Sequence, residues 1–302
     1  MSLELFIRRY SDADIEPVIE LFRSYFQDGD KLLTSAYTEW LYGNNPYGAA
    51  HIVVATDDGR WVGFLAMVPV RLVRRGLERQ AYYVVNVLVH PAYQGKHLFS
   101  RMITYAKQQA KDEGAFLMGH PNRMALKMWQ RARMHFQSPL RPALVLPSLH
   151  RQGVMARTIE SSADIKTLVS SLSQARQQLS NWQLALSPAY VRWRFFDHPN
   201  YRYRVQMLFR KDQAIGLQVV RRIRPFAHLL IDQFVLPEDA GAAAAALPLF
   251  TVALRASGGA DSHQQRMLRL PGDKEIPFFI TDQTADGSTD VGFDLGLACS
   301  DF

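Results

Sequence analysis

A chain of 302 residues, 48% of them hydrophobic, exceeds one ordinary core and points to two domains of about 150 residues. Lys and Arg outnumber Asp and Glu by 35 to 28, a net charge of +7 that suits an anionic ligand but is spread too thinly for a nucleic-acid-binding tail. The single cysteine, Cys299, excludes an internal disulfide and a thiolate zinc cluster; with no apolar stretch near the ~20 residues of a membrane span and no signal-peptide pattern, a cytoplasmic protein without membrane or nucleic-acid partners is expected.

Leu3 to Arg8 reads as a strand, and Ser11-Asp12-Ala13-Asp14 is a capping-box variant that opens a helix whose buried face is Ile15, Val18, Ile19, Phe22 and Phe26. Strands His51 to Ala55 and Trp61 to Val68 follow, joined by a turn containing Asp58-Gly59. Arg71, Arg74, Arg75 and Arg79 read as the solvated face of the next hairpin, with phosphate contact as the alternative. The strand Tyr82 to Val89 ends at Pro91. A glycine turn and a helix opening near His97 come next, then a strand Ala115 to Gly119 and a helix around Ala125 to Trp129.

The second half repeats the order of the first. Trp40 and Pro46 match Trp193 and Pro199 at an offset of 153 (193 − 40), and Val62-Gly63 matches Ile215-Gly216 at the same offset (216 − 63). Ala13-Asp14-Ile15 matches Ala163-Asp164-Ile165 at 150 (163 − 13). The copies diverge after the third strand, where Pro91 leads into a Gly-Lys turn but Pro237 leads into Glu238-Asp239 and the alanine run Ala242 to Ala246.

Chemistry concentrates in Val89-His90-Pro91-Ala92-Tyr93-Gln94-Gly95-Lys96-His97-Leu98-Phe99-Ser100. A buried strand, a tight turn and a helix N-terminus bring unpaired backbone N–H groups together, a place for a diphosphate, and Gln94 and Lys96 add side-chain donors. The stretch resembles the GNAT superfamily of acyl-CoA-dependent N-acyltransferases, whose Gln/Arg-x-x-Gly-x-Gly/Ala loop follows a strand ending in Val-x-Pro. Pro121-Asn122 and the helix through Trp129 to His135-Phe136 are similar to the family's second block. The resemblance covers residues 3 to 147, with a fainter echo over 155 to 302, as in tandem GNAT proteins. Two family glycines are His97 and Phe99 here, and Trp129 stands where the family often has an acidic Tyr.

The resemblance implies an α/β (α+β) fold of two GNAT-like domains, residues 1–147 and 148–302, each a mixed, mostly antiparallel sheet flanked by helices. It implies an acetyl-CoA (or other acyl-CoA) donor, no metal, and a small-molecule or peptide amine as acceptor. By resemblance Leu88 and Val89 supply the backbone edge that receives pantetheine and the oxyanion. Gln94, Gly95, Lys96, His97, Leu98, Phe99 and Ser100 hold the diphosphate, and Asn122 takes a cofactor-side role or caps the following helix. Tyr83, Asn86, His90 and His120 lie near this wedge; Asn86 as a water-orienting group and His120 as a base are the catalytic candidates. Glu238 and Asp239 exclude a diphosphate from the second copy. The alternatives are a GNAT-fold CoA-binding module without turnover and an aminoacyl-transferring tandem fold.

Overall fold

The computed structural model describes residues 3–145, 153–161, 165–176, 179, 181–256, 267–269, 275–281 and 293–294. Cys299 and the pair Ala163-Asp164 lie outside them. Strand β1 (Leu3–Arg9) pairs antiparallel with β2 (His51–Asp57). Between them Asp14 accepts hydrogen bonds from the Ser11 backbone N–H at 2.8 Å and the Ser11 hydroxyl at 3.1 Å, and helix α1 (Ile15–Phe22) starts there. Val18, Ile19, Leu21 and Phe22 of α1 are buried, so the helical spacing gave the right face; Phe26 falls beyond the helix end.

Helix α2 (Ser35–Thr38) runs into a π-helical turn, Glu39–Gly43, before the meander of β2, β3 (Arg60–Arg74) and β4 (Leu77–Val89). Both meander turns place two consecutive residues in the left-handed region: Asp58-Gly59 at φ 49° and 81°, Arg75-Gly76 at 47° and 76°. That geometry matches the right-handed twist of the flanking strands. Across the second turn Arg71 faces Glu78 at 3.6 Å, both half exposed, in keeping with a solvated hairpin. Helix α3 (Leu98–Asp112) carries the chain over the sheet to β5 (Phe116–Gly119), which pairs parallel with β4; α4 (Arg123–Arg131) and β6 (His135–Val145) follow.

The second half replays this order with β7 (Val154–Thr158), α5 (Lys166–Arg176), β8 (Trp182–Leu184), α6 (Pro188–Val191), a π-helical turn Arg192–Phe196, β9 (Arg204–Arg210), β10 (Gln213–Arg224), β11 (Ala227–Val235), α7 (Ala240–Ala245) and β12 (Thr251–Ala256). The helix, the π turn and the two following strands each begin 153 residues after their counterparts (188 − 35, 192 − 39, 204 − 51, 213 − 60). Even the bulges coincide, with Val62 and Ile215 each the extra residue in its pairing. The two copies meet about a local two-fold. Trp40 Nε1 donates to the Trp193 carbonyl at 2.9 Å, Trp193 Nε1 donates to the Trp40 carbonyl at 2.8 Å, and the rings stack 5.0 Å apart. Residue i contacting j while j contacts i is the signature of an isologous interface, here within one chain.

The halves also exchange strands. The last part of the chain supplies β13 (Met267–Arg269), β14 (Ile276–Ile280) and β15 (Phe293–Asp294). Among the described residues one continuous sheet runs β1-β2-β3-β4-β5-β14-β6-β12-β11-β10-β9-β7. Thus β14 fills the gap between β5 and β6, antiparallel to both, while β6 continues into the second half through β12. Because side chains alternate along a strand, β14 sends Phe278 into the core beneath α1 and Phe279 into the core beneath α3. No helix among the described residues is long and apolar enough to cross a membrane.

Gly216 carries a sharp stability prediction. A Cβ there would stand 2.2 Å from Val235 Cγ1 and 2.9 Å from the Phe234 carbonyl oxygen, neither of which moves freely. Gly216→Ala is expected to destabilise by about 2–4 kcal/mol, the overpacking range, whereas Gly63→Ala at the equivalent place meets Ala55 and the pliable Met102 at 3.0 and 3.1 Å and costs about 1 kcal/mol. Urea unfolding of both variants checks the order.

Candidate acyl-CoA site

Strands β4 and β5 pair only at Ala81↔Phe116, Tyr82↔Leu117 and Tyr83↔Met118, although β4 continues to Val89. The cause lies on the other edge of β4. Its register against β3 shifts between Val85↔Ala66 and Leu88↔Phe64, and Asn86 within this bulge adopts φ 51°. An extra residue raises the local twist and bends the strand, so the end of β4 swings away from β5 and opens a wedge. Asparagine tolerates the left-handed region better than most residues. Its side chain is committed as well: Asn86 Nδ2 donates to the buried Tyr42 hydroxyl at 2.7 Å.

At the base of the wedge the Tyr83 hydroxyl and His120 Nδ1 are hydrogen-bonded, and the His120 ring lies 5.0 Å from that of Phe278. Burial lowers the His120 pKa from 6.5 to about 4, so the ring is neutral at physiological pH. Leu88 and Val89 are buried, and the Val89 carbonyl, at the mouth, accepts a hydrogen bond from the Tyr25 hydroxyl at 2.6 Å. Gln94 Nε2 donates in turn to that hydroxyl.

Beyond Val89 the chain makes a short 3-10 turn, Pro91–Tyr93, which His90 stabilises by accepting the Ala92 N–H at Nδ1. Gly95 at φ 78° and His97 at φ 60° then fold the backbone back on itself before α3 begins. His97 holds a conformation that glycine adopts freely and other residues pay about 1 kcal/mol to keep. His97 occupies the N-cap of α3 without a side-chain cap, so the first-turn N–H groups of Leu98, Phe99 and Ser100 gain no partner from it. Leu98 is buried, Phe99 turns its ring edge-on to Trp129 at 5.9 Å, and the Phe99 side chain therefore packs rather than covers the turn. The Lys96 ammonium sits 4.4 Å over the Tyr93 ring, and the Tyr93 hydroxyl donates to Asp57 at 2.6 Å, fastening the loop to the β2–β3 hairpin.

Asn122 caps α4, its Oδ1 accepting the Ala125 N–H at 2.8 Å. Trp129 is buried and stacked 4.3 Å from Phe279. Geometry thus brings Tyr83, His120, Leu88, Val89 and the loop 94–100 around one wedge, while Asn122 and Trp129 serve helix capping and the core. Tyr25 and Phe278 also reach this wedge. They carry no local sequence signal, since one lies in the turn after α1 and the other in the exchanged strand β14.

In the second copy β11 and β12 pair parallel only at His228↔Thr251 and Leu229↔Val252, and a turn Pro237–Asp239 leads into the six-residue α7. Asp239, at the N-cap of α7, is buried and ion-paired to Arg210 at 2.8 Å. A carboxylate takes the place where an anion would need donors.

A sequence model described as an acetyltransferase (GNAT) domain matches residues 6–126. That match covers β1 through the wedge and the loop to α4. Residues 6–126 are thus similar to a GNAT acetyltransferase domain. Solved structures extend the likeness to the whole chain. A protein of Enterococcus faecalis described as a probable N-acyltransferase shares 10% identity at a TM-score of 0.69, over 92% of this chain and 72% of its own. A GCN5-related N-acetyltransferase from Anabaena variabilis shares 12% at 0.67, over 92% and 72%. A tandem GNAT protein from the clavulanic acid biosynthesis pathway shares 13% at 0.57, over 93% and 98%. No curated protein matches the sequence. The chain therefore has the tandem GNAT fold.

Proposed function

We propose that the GNAT domain transfers an acyl group, acetyl in the first instance, from acyl-CoA to a primary amine of a small molecule or peptide by direct attack in a ternary complex, in the cytoplasm. The observation that carries this reading is the wedge itself: β4 parts from β5 at Tyr83, and its open edge leads straight into a turn with two left-handed residues at the uncapped N-terminus of α3. Such a turn presents backbone N–H groups and the positive end of a helix to a diphosphate, with Gln94 and Lys96 alongside. Pantetheine then lies in the wedge against the main chain of Leu88 and Val89. The residues fit the group, and acyl-CoA would supply the thioester.

The amine nitrogen attacks the thioester carbonyl and the C–S bond breaks as the tetrahedral oxyanion collapses. The proton released from nitrogen passes to His120, directly or through water, and the sulfur leaves as thiolate. A thiol pKa near ~8.5 makes a missing acid a modest handicap. In this reading residues 1–147 do the chemistry. Residues 148–302 shape the site, since Phe278 from the exchanged strand backs His120. A CoA-binding module without turnover is the second reading, favoured by Trp129, whose burial against Phe279 removes it from any reacting sulfur.

Calorimetry with acetyl-CoA, longer acyl-CoAs and free CoA, followed by a panel of amino sugars, polyamines and peptides, separates the two. The expected stoichiometry is one CoA per chain, because Asp239 and its partner Arg210 occupy the second copy's turn. Two CoA per chain would contradict that assignment. Tight binding with no acceptor-dependent CoA release on the panel favours the binding module.

A further inference from the structure

Tyr25 belongs to no motif, yet its hydroxyl joins three segments. It donates to the Val89 carbonyl, 64 residues away in sequence, at 2.6 Å, and it accepts from Gln94 Nε2, 69 residues away. The ring is 44% exposed and reaches the wedge from the turn after α1, where the Tyr25 N–H bonds the Phe22 carbonyl at 2.9 Å.

The direction of this chain of hydrogen bonds is not free. A carbonyl can only accept, so Val89 obliges Tyr25 to spend its one proton there. The phenol oxygen is then left with lone pairs alone, and a Gln94 amide facing it must offer the NH₂ end. An unanchored glutamine can turn either its donor or its acceptor end to a neighbour. Aimed at a diphosphate the acceptor end repels and the donor end binds. Successive bonds in one direction also polarise one another and strengthen the arrangement.

We propose that Tyr25 is a positioning residue for the cofactor: by relaying the polarity of the Val89 carbonyl, it fixes the Gln94 amide with its donor end available to the diphosphate of acyl-CoA. This rests on the acyl-CoA reading above. It adds a residue from the turn after α1 to the loop that the sequence motif defines, and it makes the end of β4 and the diphosphate turn a single unit.

Calorimetry with CoA on the wild type, Tyr25→Phe, Gln94→Ala and the double variant tests it. Tyr25→Phe keeps the ring and its packing but loses both the proton and the lone pairs. The expected result is a Kd for CoA raised about tenfold, the scale of one hydrogen bond to a charged group, with thermal stability near wild type. Gln94→Ala should weaken binding at least as much, and adding Tyr25→Phe to it should change nothing further, because the relay has lost its end point. With acetyl-pantetheine, which lacks the diphosphate, the penalty of Tyr25→Phe on KM should be several-fold smaller than with acetyl-CoA; an equal penalty with both would place the effect at the Val89 edge and overturn the relay. If the wild type binds CoA and Tyr25→Phe binds equally well, or if the two substitutions add fully, the relay is wrong while the acyl-CoA site stands. If the wild type binds no CoA, the site reading falls and takes this inference with it.

Discussion

Replacing His120 by Ala is expected to lower kcat with an acyl-CoA and a good amine acceptor by about 10²- to 10⁴-fold, the usual worth of a positioned general base. The pH profile distinguishes this role from a structural one. His120 works as a base only when neutral, and burial lowers its pKa to about 4. A lowered pKa extends the competent form to more acidic pH, so the limb that His120 contributes to kcat is lost only as pH falls through about 4. Any rise that continues above neutrality reports the acceptor losing its proton, whose free value is near ~10. His120→Ala should remove the acid limb and leave the alkaline rise in place. A limb at 6.5 would mean that the ring is solvated during turnover. A loss smaller than tenfold would take His120 off the catalytic list, and Trp129→Tyr should not rescue the variant, because that position is sealed by Phe279.

The second large effect is on cofactor binding. Gly95→Asp should raise the Kd for acetyl-CoA by about 100-fold or more. Two causes act together. At φ 78° a side chain strains the backbone, although the space beside Gly95 is open, and the carboxylate brings a negative charge to the turn that faces the diphosphate. Lys96→Ala removes one donor whose ammonium already rests on the Tyr93 ring, so a loss below about tenfold is expected. Calorimetry on the two variants checks the ranking. Wild-type affinity in both would place the diphosphate elsewhere.

How much of this was legible beforehand follows from the range of each interaction. Capping at Ser11, the Asp58-Gly59 hairpin and the amphipathic face of α1 depend on residues a few positions apart, and reading the chain found them. The repeat was legible for a related reason. The paired tryptophans and the bulge glycines stand in both copies, and their spacing of 153 returned as the spacing of whole elements. The stretch from Val89 to Ser100 was also identifiable, because a strand end, a turn and a helix start are contiguous. Phe26 lies beyond the last regular residue of α1, yet its N–H still bonds the Phe22 carbonyl at 3.0 Å, so the hydrophobic spacing overruns the regular helix by one turn.

Tertiary structure decided what depends on distant segments. Asn86 looked like a water-orienting amide. Its side chain instead bonds Tyr42, and its backbone makes the bulge that opens the wedge, a role set by the register of β4 against β3. His120 had an ordinary histidine's basicity in the sequence. Its pairing with Tyr83 follows from the register of β4 against β5, while its contact with Phe278 comes from an exchanged strand 158 residues later (278 − 120), and burial is what lowers the pKa. Tyr25 reaches Gln94 because the turn after α1 meets the end of β4 at Val89. Local pattern carries backbone geometry, which neighbouring residues fix among themselves; the electrostatics of a buried site depends on which side chains, from anywhere in the chain, exclude water from it.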